Sequence, residues 1–408
     1  MFRLQRIPVK IEILLADLQI FFSDHQWLHF QSILLSLLLT PYKATVTGMI
    51  KILSFGTHRS KHNEFINNSS EILSKVLKFY AMLILAKIKK SNEPVYFIID
   101  DTSNKKRGKH IEAAFSFLEH TAKQYIWGQQ LVCAIIKHRD FVIPFAIEIY
   151  VSKEKSKEMK LEFHKKTNIA LKMLEEFEAD ENQQIVVLAD CYYACTQIMN
   201  YCREREYSFV SVLKSNRVFI ANKRKTTVRK YTKRNFRTKK NKITIRIKEN
   251  KYRTITRKVS LKTGGAVKVV FSKHQTHRTV LAVFTTNAAL PAKRILEFYQ
   301  NRWDIEVFFK MSKQNLGLKA YQNRNLNAIK TYLRISLCAH NLLTHVFIND
   351  LREKGKRLTK KNIAHFSVTN MIDRVRKIAG VDTIDYCIEK NQSKKDLSYE
   401  LKNLLLAA

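Results

Sequence analysis

"PVYFIIDD", Pro94 to Asp101, is where the chain changes its period. Five residues from Val95 to Ile99, all β-branched or aromatic, give way abruptly to two carboxylates. That pattern reads as a core strand with charge at its carboxyl end. Before it, up to about residue 90, the apolar residues recur with helical period, broken at Pro41 and around "GTHRSKHNEFINNSSE". After it come "QQLVCAIIK" and "FVIPFAIEIYV", set apart by "TSNKKRGKH" and "HRD". Three consecutive antiparallel strands are therefore expected. A helix over "KLEFHKKTNIALKMLEEFEA", the buried run "QIVVLAD", a helix over "YACTQIMNYCRERE" and the strand "FVSVLK" follow. A meander that passes into alternating helix and strand describes an α/β fold, a mixed sheet with helices on its faces.

The 408 residues are 45% hydrophobic, enough for two or three domains and a sizeable core. The 73 Lys and Arg against 35 Asp and Glu give a formal net charge of +38, which favours a polyanionic partner, nucleic acid before an anionic membrane. The longest apolar runs, "SILLSLLLT" and "FYAMLILAKI", are well short of the roughly 20 residues that span a bilayer. Glu12 and Asp17 interrupt the apolar run near the N-terminus, so no export signal is read there. The six cysteines are scattered and read as reduced cytosolic thiols.

The positive charge is densest in "NKRKTTVRKYTKRNFRTKKNKITIRIKENKYRTITRKVS", which interleaves Tyr, Phe and Thr with cations and has strand-like pieces such as "KITIRIK". It reads as a basic β-rich insertion facing a polyanion. Core-strand character returns in "TVLAVFTTN", and a long helix is expected over "AIKTYLRISLCAHNLLTHVFIND". The expected divisions are a helical N-terminal DNA-binding domain over 1–90, a core in two parts over 91–215 and 279–350, the insertion over 216–278, and a helical C-terminal region over 351–408.

Two features carry chemistry. Asp100 and Asp101 end one apolar run and Asp190 ends another, at the strand ends where an α/β sheet presents functional side chains. The second feature is "YQNRWDIEVFFKMSK", Tyr299 to Lys313, which lacks Gly and Pro and reads as one helix. At 3.6 residues per turn Tyr299, Arg302, Glu306, Lys310 and Lys313 share a narrow stripe, with Trp303, Ile305, Val307, Phe308, Phe309 and Met311 around a helix expected to be otherwise buried. Asp190 has the alternative of capping the helix after it, and Glu306 that of pairing with Arg302 or Lys310. Together Asp100 or Asp101, Asp190 and Glu306 make a set of oxygen ligands suited to two Mg²⁺ or Mn²⁺ ions.

The order Asp, Asp, Glu, the basic stretch before the Glu, and the spacing Tyr299-x2-Arg302-x3-Glu306-x6-Lys313 resemble the DDE insertion-sequence transposases with a Tyr-Arg-Glu-Lys signature. "IIDDTSNKKRGKH" and "VIPFAIEIY" add to the likeness, which covers about residues 94 to 345. The resemblance implies a ribonuclease H-like core, with Asp100, Asp190 and Glu306 as the metal-binding catalytic triad and Asp101 as the alternative first member. It implies that Tyr299, Arg302 and Lys313 grip DNA phosphates, joined by Lys310, by Lys105, Lys106, Arg107 and Lys109 of the loop after the first Asp, and by Arg229, Lys230, Lys233 and Arg234 of the insertion. The implied activity is cleavage and strand transfer at double-stranded DNA, the terminal inverted repeats and the target, by a homodimer formed on the DNA in the bacterial cytosol. Two other functions on this core remain as alternatives: a non-transposing nuclease, or a catalytically silent DNA-binding protein.

Overall fold

The computed structural model describes residues 3–40, 45–55, 58–90, 92–119, 123–180, 182–221, 224–237, 242–277 and 279–390. The N-terminal segment forms α1 (Val9–Leu15), a 3-10 turn (Ala16–Phe21), α2 (Asp24–Leu39), α3 (Val46–Ile50), α4 (Arg59–Asn68) and α5 (Ser70–Ile88). Ser23 and Gln26 start α2 with a reciprocal capping box. The break expected at Pro41 lies outside the described residues. The meander follows as β1 (Val95–Lys105), β3 (Gln124–His138) and β4 (Phe141–Tyr150), antiparallel as the apolar runs require, with a short β2 (Phe115–Glu119) before β3.

The short β2 lies beyond "TSNKKRGKH", in a stretch for which sequence reasoning names no element. One reading of this region is corrected: strand β1 does not stop at the tandem aspartates but continues through Lys105. The reason is pairing: β3 runs beside β1 all the way to Gly128, opposite Lys105, so the polar "DDTSNK" is held extended by its neighbour. Gly128 is required there, because a Cβ would collide with the Asn104 carbonyl oxygen.

Next come α6 (Lys153–Glu158), α7 (Lys166–Glu175), β5 (Ile185–Ala189), α8 (Thr196–Glu204) and β6 (Ser208–Val212). The basic segment forms β7 (Val218–Ala221), β8 (Arg224–Thr227), α9 (Val228–Asn235), β9 (Ile243–Ile247), β10 (Asn250–Leu261) and β11 (Gly265–His274), followed by β12 (Val280–Thr285). All these strands belong to one mixed sheet in the order β2-β3-β1-β5-β6-β12-β11-β10-β7-β8, with β4 beside β3 and β9 beside β10. β1, β5 and β6 run parallel, and the basic strands extend the same sheet through β11 and β12.

The C-terminal elements are α10 (Ala292–Gln300), α11 (Trp303–Asn315), α12 (Leu326–Glu353), α13 (Lys360–Ile363) and α14 (Val368–Glu389). The expected C-terminal region runs on beyond the described residues, which end at 390. Helix α12 is buried along nearly its whole length between α5, α2 and β4, which joins the N-terminal helices to the sheet in one core. Inside it Arg334 donates to the Ser70 carbonyl at 2.5 Å and pairs with Glu148 of β4, so a buried cation has its charge and donors matched. The architecture is the mixed α/β sheet of a ribonuclease H-like core.

The stretch from Tyr299 to Lys313 is two helices rather than one. Between them the backbone tightens into i to i−3 bonds, Asn301 N–H to Phe298 and Arg302 N–H to Tyr299, both 3.1 Å. Lys137 of β3 holds this corner, donating to Asn301 Oδ1 at 2.8 Å and pairing with Asp304. Nor is α11 otherwise buried: Ile305, Phe308 and Phe309 face the core, but Trp303 is 61% and Val307 46% exposed. These two lie one turn apart on the side of α11 away from its packed face.

Candidate active site

Strands β1 and β5 are buried on both faces, which is why they read as unbroken apolar runs. Their parallel pairing ends at Ile99 and Ala189. Asp100 and Asp190 are the next residue on each, so the two carboxylates leave adjacent strands at one level and on one face. Asp190 does not cap a helix: α8 begins only at Thr196, and the Asp190 Oδ1 instead accepts the Tyr192 N–H at 2.7 Å while Ser211 Oγ donates to its carbonyl at 3.0 Å.

Helix α11 packs on β1 and brings its charges to the same place. Arg302 forks across two carboxylates, with one nitrogen 2.8 Å from Asp100 Oδ2 and the other 2.5 Å from Glu306 Oε1. The alternative partner of Glu306 read from helical spacing is thus present in Arg302. The Tyr299 ring centre lies 5.9 Å from the guanidinium. Lys313 reaches past them to β1 and donates to Thr102 Oγ1 and the Ser103 carbonyl, each at 2.7 Å. Burial lowers the Lys313 pKa and raises that of Tyr299. Burial works against the charge of Arg302, but Tyr299, Asp100 and Glu306 outweigh it and raise its pKa.

Burial pushes the Asp100 carboxyl up to about 7; the attraction of Arg302 and the Asp101 N–H only partly offset this loss of water, and Asp190 and Asp101 add smaller repulsions. Loss of water, more than a lack of positive charge, is what makes ionised Asp100 costly here, since its carboxylate already has a guanidinium at 2.8 Å. Among the described residues no three His, Cys, Asp or Glu side chains already converge as metal ligands, since Arg302 stands between Asp100 and Glu306. The donor set still suits a hard divalent cation: three carboxylates, two of them spanned by one guanidinium.

The tandem aspartates separate cleanly. Asp101 points to the opposite face, where its Oδ2 accepts from Lys166 Nζ of α7 at 2.5 Å and its Oδ1 from the Tyr193 hydroxyl at 3.2 Å. Lys166, Tyr193 and Lys137 are parts of the site region that sequence reasoning misses. A lysine ending the apolar run "QQLVCAIIK" is the one local signal among them.

The structure also divides the expected DNA-binding residues. Lys105, Arg107 and Lys109 are exposed beyond Asp100, Lys310 is exposed on α11, and Arg229, Lys230, Lys233 and Arg234 are all exposed on α9. Lys106 is a correction. It is 8% exposed, donates to the carbonyls of Lys319 and Tyr321 at 3.2 and 3.0 Å, and lies 3.1 Å from the Tyr321 ring centre. Burial lowers its pKa to about 7, so it holds the chain to the segment after α11 and has no surface for DNA.

Residues 164–342 match the family model described as the transposase DDE domain. That stretch contains Asp190 and Glu306 and begins after β1, so Asp100 lies outside it. A Sinorhizobium fredii protein provisionally named transposase y4zB is 32% identical over 63 residues, which cover 15% of this chain and 18% of that protein. No helix among the described residues is long and apolar enough to cross a membrane. The domain match and the mixed sheet show that residues 164–342 are similar to the transposase DDE domain of insertion-sequence transposases.

Proposed function

We propose that the chain cuts and joins insertion-sequence DNA by metal-dependent phosphoryl transfer, with Asp100, Asp190 and Glu306 holding two Mg²⁺ or Mn²⁺ ions. The observation that carries this reading is the register of β1 and β5, which sets Asp100 and Asp190 side by side with Glu306 one guanidinium away. Bound there, such ions supply activation of an attacking hydroxyl and stabilisation of the leaving oxygen. The chain's own groups bind and orient the DNA. Arg302 exchanges its two carboxylates for phosphate oxygens, which match its fork equally well, Tyr299 offers a hydroxyl donor, and Lys313 a point charge.

The exposed cations after Asp100 and along α9 extend the grip on the duplex, and the N-terminal helices over 1–90 form a further DNA-binding unit. Two chains pair on two terminal repeats, because DNA phosphates screen the self-repulsion that +38 imposes on the free protein. The working compartment is the bacterial cytosol, at the nucleoid.

The test is Asp190→Ala and Glu306→Ala on DNA carrying the element's ends. Both variants should lose cleavage and keep DNA binding within a few fold, since these carboxylates hold metal rather than phosphate. Near-normal nicking by either in Mg²⁺ removes the assignment, and cleavage without strand transfer by the parent protein identifies a nuclease instead.

A further inference from the structure

Behind the catalytic face lies a second charged cluster, built from three elements. Asp101, Lys166 and Tyr193 come from β1, α7 and the loop between β5 and α8. Lys166 is 8% exposed and Tyr193 fully buried, so neither serves as a surface group. Both oxygens of Asp101 are occupied, one by each partner. The Lys166 ammonium also lies 5.5 and 5.7 Å from the ring centres of Tyr150 and Tyr192.

The loop these contacts hold is the one that carries Asp190. Its carboxylate accepts the Tyr192 N–H, and Tyr192 precedes the anchored Tyr193. The turn closes with Cys195 N–H on the Tyr193 carbonyl at 2.8 Å. Since β1 and β5 no longer pair beyond Ile99 and Ala189, no strand ladder fixes this loop against β1. The Tyr193 hydroxyl on Asp101 does so in its place.

We infer that Asp101, clamped by Lys166, is a positioning residue: through Tyr193 it sets where the Asp190 carboxylate stands relative to Asp100. This rests on the reading of Asp100 and Asp190 as metal ligands. It also gives the tandem aspartates separate duties, one toward the metal and one toward the loop that presents the next ligand. Groups that orient a metal ligand from behind typically change metal affinity about 10- to 100-fold when removed, far less than the ligand itself.

The experiment measures Mn²⁺ binding to the full chain by the loss of the free-ion electron paramagnetic resonance signal, with the metal dependence of cleavage alongside. Tyr193→Phe keeps the buried ring and removes only the hydroxyl, so it tests the clamp without emptying the core. Asp101→Asn tests it from the other side. Both should weaken Mn²⁺ binding about 10- to 100-fold, with cleavage recovered at high Mn²⁺, while Asp100→Asn and Asp190→Asn remain inactive at any concentration. A Tyr193→Phe protein with lower thermal stability and unchanged Mn²⁺ affinity reduces the clamp to a packing contact and overturns the inference. Complete loss in Asp101→Asn, equal to that of Asp100→Asn, makes Asp101 a ligand and overturns it as well. Unchanged Mn²⁺ binding in Asp190→Asn removes the metal reading itself, and the inference falls with it.

Discussion

Replacing Asp100 by Asn should make the metal-free protein more stable at alkaline pH while abolishing its chemistry. Burial raises the Asp100 carboxyl from 3.8 to about 7, so the folded chain holds this proton over a range in which the unfolded chain has released it. A folded pKa above the unfolded one means that this group's contribution to stability is greatest below about pH 4, falls between pH 4 and 7, and stays reduced above. At about 1.4 kcal/mol per tenfold change, ionised Asp100 costs the metal-free fold about 4 kcal/mol. Asn avoids that charge, but Arg302 then loses a carboxylate at 2.8 Å. The cost of about 4 kcal/mol is already net of the Arg302 attraction, so what Asn gives back is only the poorer hydrogen bond it offers the guanidinium, about 1–3 kcal/mol, for a net gain of about 1–3 kcal/mol at pH 8. Unfolding entropy near 2.1 cal/mol/K per residue over 408 residues is about 0.9 kcal/mol/K, which makes the rise in Tm about 1–4 °C. Thermal unfolding in EDTA at pH 8 and pH 4.5 measures it: the variant should exceed the parent at pH 8 and match or fall below it at pH 4.5. Added Mn²⁺ should raise the parent's Tm far more than the variant's. A variant less stable than the parent at pH 8, or an advantage equal at both pH values, would refute the claim that burial makes ionised Asp100 costly to the metal-free fold.

Two further outcomes test the nucleic-acid surface. Replacing Arg229, Lys230, Lys233 and Arg234 of α9 by Gln should lower the slope of log affinity against log salt by about 3–4, at about 0.9 for each phosphate no longer neutralised, and an unchanged slope returns α9 to a solvated face. Gln at Lys105, Arg107 and Lys109 should reduce the same slope, whereas Lys106→Met should leave it unaltered and cost about 1–3 kcal/mol of stability through the unmet carbonyls of Lys319 and Tyr321, read by denaturant unfolding.

What can be read from the chain alone follows the range of the forces involved. β1 and β5 are legible because two covered faces demand continuous apolar residues, and Asp100 and Asp190 because carboxylates interrupt those runs abruptly. The extent of β1 is not legible, since its polar half is held by pairing with β3 some thirty residues on. The corner between α10 and α11 escapes for a similar reason: Lys137, more than 160 residues earlier, fixes Asn301 and Asp304. Lys106 looks like its basic neighbours, and only the carbonyls of Lys319 and Tyr321, over 200 residues later, make it internal. The same logic explains why only the resemblance, and not strand geometry, favours Asp100 over Asp101 in the sequence. Strand alternation puts them on opposite faces but does not say which face holds the acid cluster. That is decided by Arg302 and Glu306 arriving on one side and Lys166 with Tyr193 on the other. The spacing within the Tyr299 to Lys313 row survives the helix break because the intervening turn keeps right-handed helical backbone at Asn301 and Arg302, so the side chains remain in line across it.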